Sequence, residues 1–166
     1  AHPDWVLATQ GNEQLNFRNQ LVLDLTRSEV VDYLFTAIDD ILTEYPKIVY
    51  IKWDMNRDIN HAGNALGKPA VHQQTKALYQ LIKHIKQQHP HVEIESCSSG
   101  GARVDYGILG LTDRVWTSDS NDALDRLSIQ RGCSFFFPSE VMGAHVGPRD
   151  CHITGRVVNI EMRAAV

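Results

Sequence analysis

Hydrophobic residues follow two alternating patterns along the chain, short continuous runs and longer stretches with helical spacing. The short runs are rich in β-branched and aromatic residues and have the length of buried strands. The predicted strands are Leu21–Leu25, Ile48–Trp53, Val92–Ser96, Arg114–Ser118 and Phe135–Pro138. We therefore expect a sheet whose successive strands are separated by other structure.

The stretches between these runs repeat their apolar residues every three to four positions, which predicts three helices. They are a helix opened by the capping box Thr26-Arg27-Ser28-Glu29 and closed by Pro46, a helix from Val71 to Ile85 closed by His89-Pro90, and a helix over Asp122–Arg131 capped by Asn121 or Ser120. Strands and helices thus alternate along most of the chain.

This alternation predicts βα units on a parallel sheet, which is an α/β fold. Polar, Gly-rich loops follow the strands, as in a (β/α)8 TIM barrel, where the chemistry lies on the loops after the carboxyl ends of the strands. A complete barrel needs about 250 residues. With four clear strands and a possible fifth in 166 residues, the barrel cannot close, and about half of one is expected. An open doubly wound sheet is the alternative, but no G-x-G-x-x-G string follows a predicted strand.

The composition limits the kinds of molecule that the chain is expected to bind. The chain is 43% hydrophobic and 22% charged, as in ordinary globular proteins, with a net charge of -4. This charge gives no basic field for nucleic-acid phosphates or anionic lipid, so neither nucleic acid nor membrane is an expected partner. No apolar run approaches the roughly 20 residues of a membrane span. A neutral small molecule fits better.

The three cysteines, Cys97, Cys133 and Cys151, form no C-x-x-C pair and indicate neither a disulfide framework nor a zinc site. The eight histidines are scattered. We therefore predict no metal and no cofactor. The first ten residues lack the pattern of a signal peptide, and we expect a cytoplasmic location.

Two carboxylates follow different predicted strands, Asp54 after Ile48–Trp53 and Asp119 after Arg114–Ser118. Glycoside hydrolysis needs such a pair, since one carboxylate attacks the anomeric carbon and the other protonates the leaving oxygen. The alternative is that each is a turn or cap residue, because Asp is common at strand-to-helix junctions. Composition and spacing alone leave both interpretations open.

Several strings of residues together resemble glycoside hydrolase family 36, the melibiase-type α-galactosidases. The similarity runs nearly end to end, and the strings occur in the family's order. They are HPDW at 2–5, RNQLVLD at 18–24, YIKWDMNR at 50–57, ESCSSGGAR at 95–103, WTSD at 116–119 and MGAHV at 142–146. Any one string is weak, but their combination is specific.

The resemblance implies a retaining α-galactosidase that removes terminal galactose from melibiose or raffinose-type substrates. Asp54 would be the nucleophile that forms a covalent galactosyl ester, and Asp119 the general acid/base. The chain reads SDSND at 118–122, where relatives read S-D-D-T-D. This departure leaves Asp119 in place but makes Asp122 a rival for the acid role.

The resemblance also implies substrate-binding residues. Cys97 and Gly100 would lie against the galactose C2 hydroxyl, and Arg18 would contact the substrate. Lys52 shares the face of its strand with the nucleophile, because side chains two residues apart on a strand point the same way. Its ammonium would bind sugar hydroxyls and lower the pKa of the nucleophile. Trp53 is a candidate for stacking on a sugar, with core packing as the alternative.

The domain organisation follows from the same resemblance. Residues 1–166 would be a partial catalytic barrel, from before the nucleophile strand to beyond the acid/base strand. The family's N-terminal β-domain and C-terminal domain would lie outside this segment, and the full-length protein would be a homo-oligomer. Two other functions remain open, namely galactosyl transfer, as in raffinose or stachyose synthases, and non-catalytic carbohydrate binding.

Overall fold

The computed structural model describes residues 2–13, 15–61 and 63–166. The chain forms two compact units, each built from two stretches of sequence. The helical unit comprises Ala1–Tyr50 with Asn56–Glu93, and the sheet unit comprises Ile51–Met55 with Ile94–Val166. Within the described ranges, no helix has both the length and the apolar character needed to cross a membrane.

Two long helices, α1 (Ser28–Glu44) and α2 (Val71–Gln88), pack against each other in the helical unit. Each ends two residues before a proline, as predicted from the sequence. A short 3-10 helix, Pro3–Trp5, lies near the start of the unit. The buried core side chains of the two long helices are Val30, Leu42, Leu78, Leu81, Ile82 and Ile85.

The predicted capping box before α1 is wrong. The Oγ1 of Thr26 donates to Asp24 Oδ1 and not to the helix, and Glu29 accepts a hydrogen bond from Arg27. The N-cap position falls on Arg27, which makes no side-chain cap bond. Thr26 bonds to Asp24 and not to the helix because Asp24 Oδ1 also accepts the backbone N–H of Thr26. The two bonds close a tight local turn.

The predicted strand Leu21–Leu25 is also wrong. Leu23 forms only an isolated antiparallel bridge with Val6. The buried side chain of Gln74 explains the difference, because its Oε1 accepts from Leu25 N and its Nε2 donates to Leu23 O, at 2.8 and 2.7 Å. These bonds occupy backbone groups that a neighbouring strand would have used.

The sheet unit carries four short strands, β1 (Tyr50–Asp54), β2 (Glu93–Cys97), β3 (Arg114–Trp116) and β4 (Met142–Gly143). They lie side by side in the order β1-β2-β3-β4. β2 pairs with β3, and β3 with β4, in parallel. Each strand lies beside the one that precedes it in sequence, which is the order of a barrel segment and not that of a doubly wound sheet, where the order reverses.

The last predicted strand, Phe135–Pro138, is wrong, and the last strand of the sheet is β4 further along the chain. Phe135–Pro138 is no strand, because α4 (Ala123–Ser134) continues further than predicted and its last turn extends into this run. The backbone N–H groups of Phe136 and Phe137 both donate to Cys133 O. A 3-10 turn, Ser139–Val141, then leads into β4.

The sheet unit also contains two short helices, and the N-cap of α4 differs from the prediction. Asp105 caps a short helix, α3 (Tyr106–Leu109), which is not among the predicted helices. The N-cap of α4 is Asp122, and not Asn121 or Ser120 as predicted. A last helix, α5, covers Ile160–Ala165.

Candidate active site

The ends of β1 and β2 are joined by side-chain and backbone hydrogen bonds. Asp54 is the last residue of β1 and Cys97 the last residue of β2. The Cys97 thiol hydrogen-bonds the Asp54 carboxyl. The next residue, Met55, donates its backbone N–H to Cys97 O at 3.2 Å, and its own carbonyl accepts from Ser98 Oγ at 2.9 Å. The predicted nucleophile is thereby fixed against the loop that follows β2.

Gly100 brings this loop against the predicted acid/base. Its φ of +78° lies in the left-handed region, which residues with a Cβ rarely adopt. A Cβ at this position would stand 2.9 Å from Ser118 Cα and 3.0 Å from Asp119 N. Only glycine allows so close an approach of two backbones. The loop after β2 therefore touches both the Asp54 and the Asp119 segments.

The environment of Cys97 keeps its sulfur protonated. Burial is the main cause that raises the pKa of the thiol to about 11; the Gly100 backbone N–H lowers this pKa, and the hydrogen bond with Asp54 raises it. A thiol that does not ionise near neutral pH is a poor nucleophile. The S–H group is left to donate to the carboxylate beside it.

Lys52 occupies the same face of β1 as Asp54, as predicted, since the more exposed residues of the strand alternate with the less exposed ones. Its Nζ lies 3.4 Å from Glu95 Oε1 and 4.3 Å from the centre of the Trp116 ring. The Glu95 side chain is only 5% exposed. A buried carboxylate and an aromatic face thus hold the ammonium in place.

Glu95 is a site residue that the sequence prediction missed. A signal was present, because Glu95 stands two residues before Cys97 and a strand directs such a pair to the same side. An acidic residue inside a short buried strand needs a cationic partner. Lys52 supplies that partner from the neighbouring strand.

Asp119 is oriented from β3. Its Oδ1 accepts a hydrogen bond from Trp116 Nε1 at 2.9 Å, while the residue itself stays exposed. The Trp116 side chain is buried. Asp119 thus combines a fixed carboxylate oxygen with access to solvent, which a residue that exchanges protons with a substrate requires.

Asp122, the alternative candidate for the general acid, is bonded at the start of a helix. Its carboxylate accepts from the N–H groups of Leu124 and Asp125 at the start of α4 and pairs with Arg156. The hydrogen bond from the Thr154 hydroxyl, with these bonds, holds its pKa below the usual value. A fully buried, fully bonded carboxylate of this kind is a helix cap. We therefore assign Asp122 a structural role.

The two remaining predicted site residues are Arg18 and Trp53. Arg18 belongs to the helical unit, where it and Asn19 form a two-residue turn at φ of 54° and 56° between the paired residues Phe17 and Gln20. Trp53 lies on the opposite face of β1 from Lys52 and Asp54. Contact of Arg18 or Trp53 with substrate stays a prediction. In the described part of the chain, no group of three His, Cys, Asp or Glu residues is arranged to hold a metal ion.

Comparison with known proteins gives a consistent result. The Melibiase family model matches residues 1–166. The chain is 48% identical to the α-galactosidase of Escherichia coli and 41% identical to α-galactosidase AgaA of Geobacillus stearothermophilus, over 98% and 99% of its own length. It spans 23% of the length of each of these relatives.

The solved structures agree. The crystal structure of the family 36 α-galactosidase AgaA superposes with a TM-score of 0.92 at 41% identity, covering 98% of this chain and 23% of that one. Variants of AgaA at 40% identity have been solved in complex with raffinose and with stachyose. The chain therefore belongs to the melibiase family, the α-galactosidases of glycoside hydrolase family 36, and its parallel sheet is part of a (β/α)8 barrel.

Proposed function

We propose that the full-length protein carrying this chain is a retaining α-galactosidase. It would remove terminal α-galactosyl residues from melibiose and raffinose-type galactosides. Membership of the family and the raffinose and stachyose complexes of its relatives support this substrate class. The observation that carries the mechanism is that one loop, from Cys97 to Gly100, contacts both Asp54 and the backbone of Asp119.

The reaction proceeds in two displacements. In the first, an Asp54 oxygen attacks the anomeric carbon, the bond from that carbon to the glycosidic oxygen breaks, and Asp119 gives its proton to the departing oxygen. In the second, Asp119 takes a proton from water while the water oxygen attacks the same carbon and releases Asp54. Each step inverts the anomeric centre, so the product keeps the α configuration.

The neighbouring side chains supply charge and shape. The Lys52 ammonium, held by Glu95 and the Trp116 ring, offers donors to sugar hydroxyls on the face of β1 that carries Asp54. Cys97 and Gly100 line the position of the C2 hydroxyl, where the protonated thiol acts by volume and weak polarity. Arg18 and Trp53 complete the predicted set of substrate contacts.

Replacing the two aspartates in the full-length protein tests the assignment. Asp54→Ala should lose turnover on every α-galactoside yet still bind galactose. Asp119→Ala should lose far more activity on raffinose than on an aryl galactoside, whose phenolate leaves without a proton. Added azide should speed the second step of this variant and yield α-galactosyl azide, because azide attacks the covalent β-galactosyl ester with inversion. If Asp54→Ala instead yields the α product and Asp119→Ala the β product, the two roles must be exchanged.

Galactosyl transfer is the second candidate, since it shares both steps and differs only in whether water or a sugar accepts the galactosyl group. Products formed from raffinose at high sugar concentration distinguish the two. A binding module would keep its affinity after Asp54→Ala and have no turnover to lose. We also propose a homo-oligomer, which light scattering on the full-length protein would check, and a cytoplasmic location, which fractionation would check.

A further inference from the structure

The indole of Trp116 is the most heavily contacted aromatic group beside the proposed acid/base. It is 3% exposed. Its N–H donates to Asp119 Oδ1 at 2.9 Å. Lys52 Nζ and Arg126 Cζ lie 4.3 and 4.8 Å from its ring centre, and the His145 ring packs edge-on at 4.1 Å. Core packing alone requires neither the two cations nor the aligned N–H group.

We propose that Trp116 is a positioning residue that fixes the Asp119 carboxyl and determines which of its two oxygens carries the transferable proton. The inference rests on the proposed function, in which Asp119 is the acid/base. An indole nitrogen is a donor only, so Asp119 Oδ1 must act as an acceptor. Oδ2 is then the oxygen that carries the proton to the substrate.

The same bond contributes to the chemical step. When the O–H bond at Oδ2 breaks, its electron pair stays on the carboxyl and the proton forms a new bond to the glycosidic oxygen. Negative charge then develops on Asp119, and the Trp116 N–H···Oδ1 bond becomes charge-assisted. It is stronger after proton transfer than before, so it lowers the barrier and not merely the energy of the bound substrate.

The two cations strengthen this arrangement. Lys52 and Arg126 are attracted to the negatively charged ring face and withdraw electron density from the indole, which makes its N–H a better donor. Arg126 is itself anchored, because its guanidinium donates to the backbone carbonyls of Ser118 and Gly143 at 3.0 and 3.2 Å. The ring plane, and with it the direction of the N–H bond, is fixed from several sides.

Trp116→Phe in the full-length enzyme tests the inference, because phenylalanine keeps an aromatic face for both cations and removes the donor, although it also makes the buried ring smaller. The value of kcat/KM reports the first displacement. It should fall about 10- to 100-fold on raffinose, the scale of one hydrogen bond to a developing charge. On an aryl galactoside with a good leaving group, the loss should stay within about threefold, because that group needs no acid. Inhibition by galactose should change little.

Equal losses on the two substrates would overturn the inference, since a merely structural residue lowers both, and so would an unchanged kcat/KM on raffinose. Trp5→Phe, in the helical unit, is the matched control and should show no leaving-group dependence. If Trp116→Phe fails to fold, benzothienylalanine at position 116 replaces the N–H by sulfur with the ring shape kept, and the same pair of outcomes applies.

The double variant Trp116→Phe with Asp119→Ala separates this inference from the proposed function. If Trp116 acts through Asp119, the double variant should be no slower than Asp119→Ala alone. Multiplicative losses would overturn the positioning role while leaving Asp119 as the acid. If Asp119→Ala shows no leaving-group dependence, the assignment of the acid fails, and the positioning role fails with it.

Discussion

Gly100 offers a prediction whose size comes directly from the structure. A Cβ at this position would stand 2.9 Å from Ser118 Cα, whereas ordinary contact begins at 3.4 Å. The obstructing atoms belong to backbone and cannot rotate away, so the segment carrying Asp119 must recede by about 0.5 Å in Gly100→Ala. A 1 Å misplacement of catalytic groups costs on the order of 100-fold. We therefore expect a loss of about tenfold in kcat.

The chain contains a matched control for backbone strain. Gly155 has a φ of +70°, close to that of Gly100, but a Cβ there would meet nothing within 4 Å. Both alanine variants force a residue with a Cβ into the left-handed region, at about 1–2 kcal/mol each. Thermal unfolding of the two full-length variants should therefore show similar strain, with a further loss at Gly100 from the clash. Only Gly100→Ala should lose kcat on raffinose.

Two results would refute this reasoning. If Gly155→Ala loses as much kcat as Gly100→Ala, general strain and not the close approach controls activity. If Gly100→Ala retains full kcat, the packing of the loop after β2 against Asp119 does not position the acid. A crystal structure of Gly100→Ala would measure the displacement of Asp119 directly.

Three further substitutions have defined outcomes. Cys97→Ala should raise activity on a 2-acetamido substrate relative to the galactoside and weaken galactose binding, whereas Cys133→Ala should not. Arg57→Met should lower the free energy of unfolding by about 3 kcal/mol, measured in urea, because Arg57 is buried and donates to three backbone carbonyls. Asp122→Asn should destabilise the protein above the unfolded pKa of about 3.8, with the difference from wild type vanishing as pH falls through the lower folded pKa. A constant difference down to pH 2 would contradict this.

Local pattern predicted the helices well and two of the strands poorly, for one physical reason. Periodicity records which residues are apolar but not which backbone groups are already bonded. Leu21–Leu25 has the composition of a strand, yet Gln74 from α2, far away in sequence, occupies two of its backbone groups. Phe135–Phe137 is a strand-like run that the end of α4 takes up through bonds to Cys133. Both errors come from hydrogen bonds that side-chain polarity does not reveal.

Only part of the candidate site could be predicted from the sequence, because several of its contacts are not visible in the local pattern. Asp54 ends β1 and Asp119 follows β3, positions where the sequence alone makes them candidates. Glu95 pairs with Lys52, and Trp116 donates to Asp119, from within strands, where charge and aromaticity are usually attributed to packing. Lys52 lies on a different strand from Glu95, so this contact emerges only when the sheet forms, whereas Trp116 bonds to Asp119 three residues further along the chain. The role of Asp122 as a cap likewise depends on Arg156 and Thr154, which no local pattern connects with it.

β2, which carries neither of the two proposed catalytic carboxylates, links the segments that carry them. β2 holds Lys52 of β1 through Glu95 and hydrogen-bonds Asp54, the proposed nucleophile, through Cys97. The loop that follows β2 contacts the backbone of Asp119 through Gly100. Asp54 and Asp119 are therefore positioned by a common neighbour. A substitution that shifts β2 should disturb both displacements and slow every substrate, whereas loss of the Trp116 N–H disturbs only the acid. This difference in substrate dependence distinguishes residues that position both carboxylates from residues that affect only one of them.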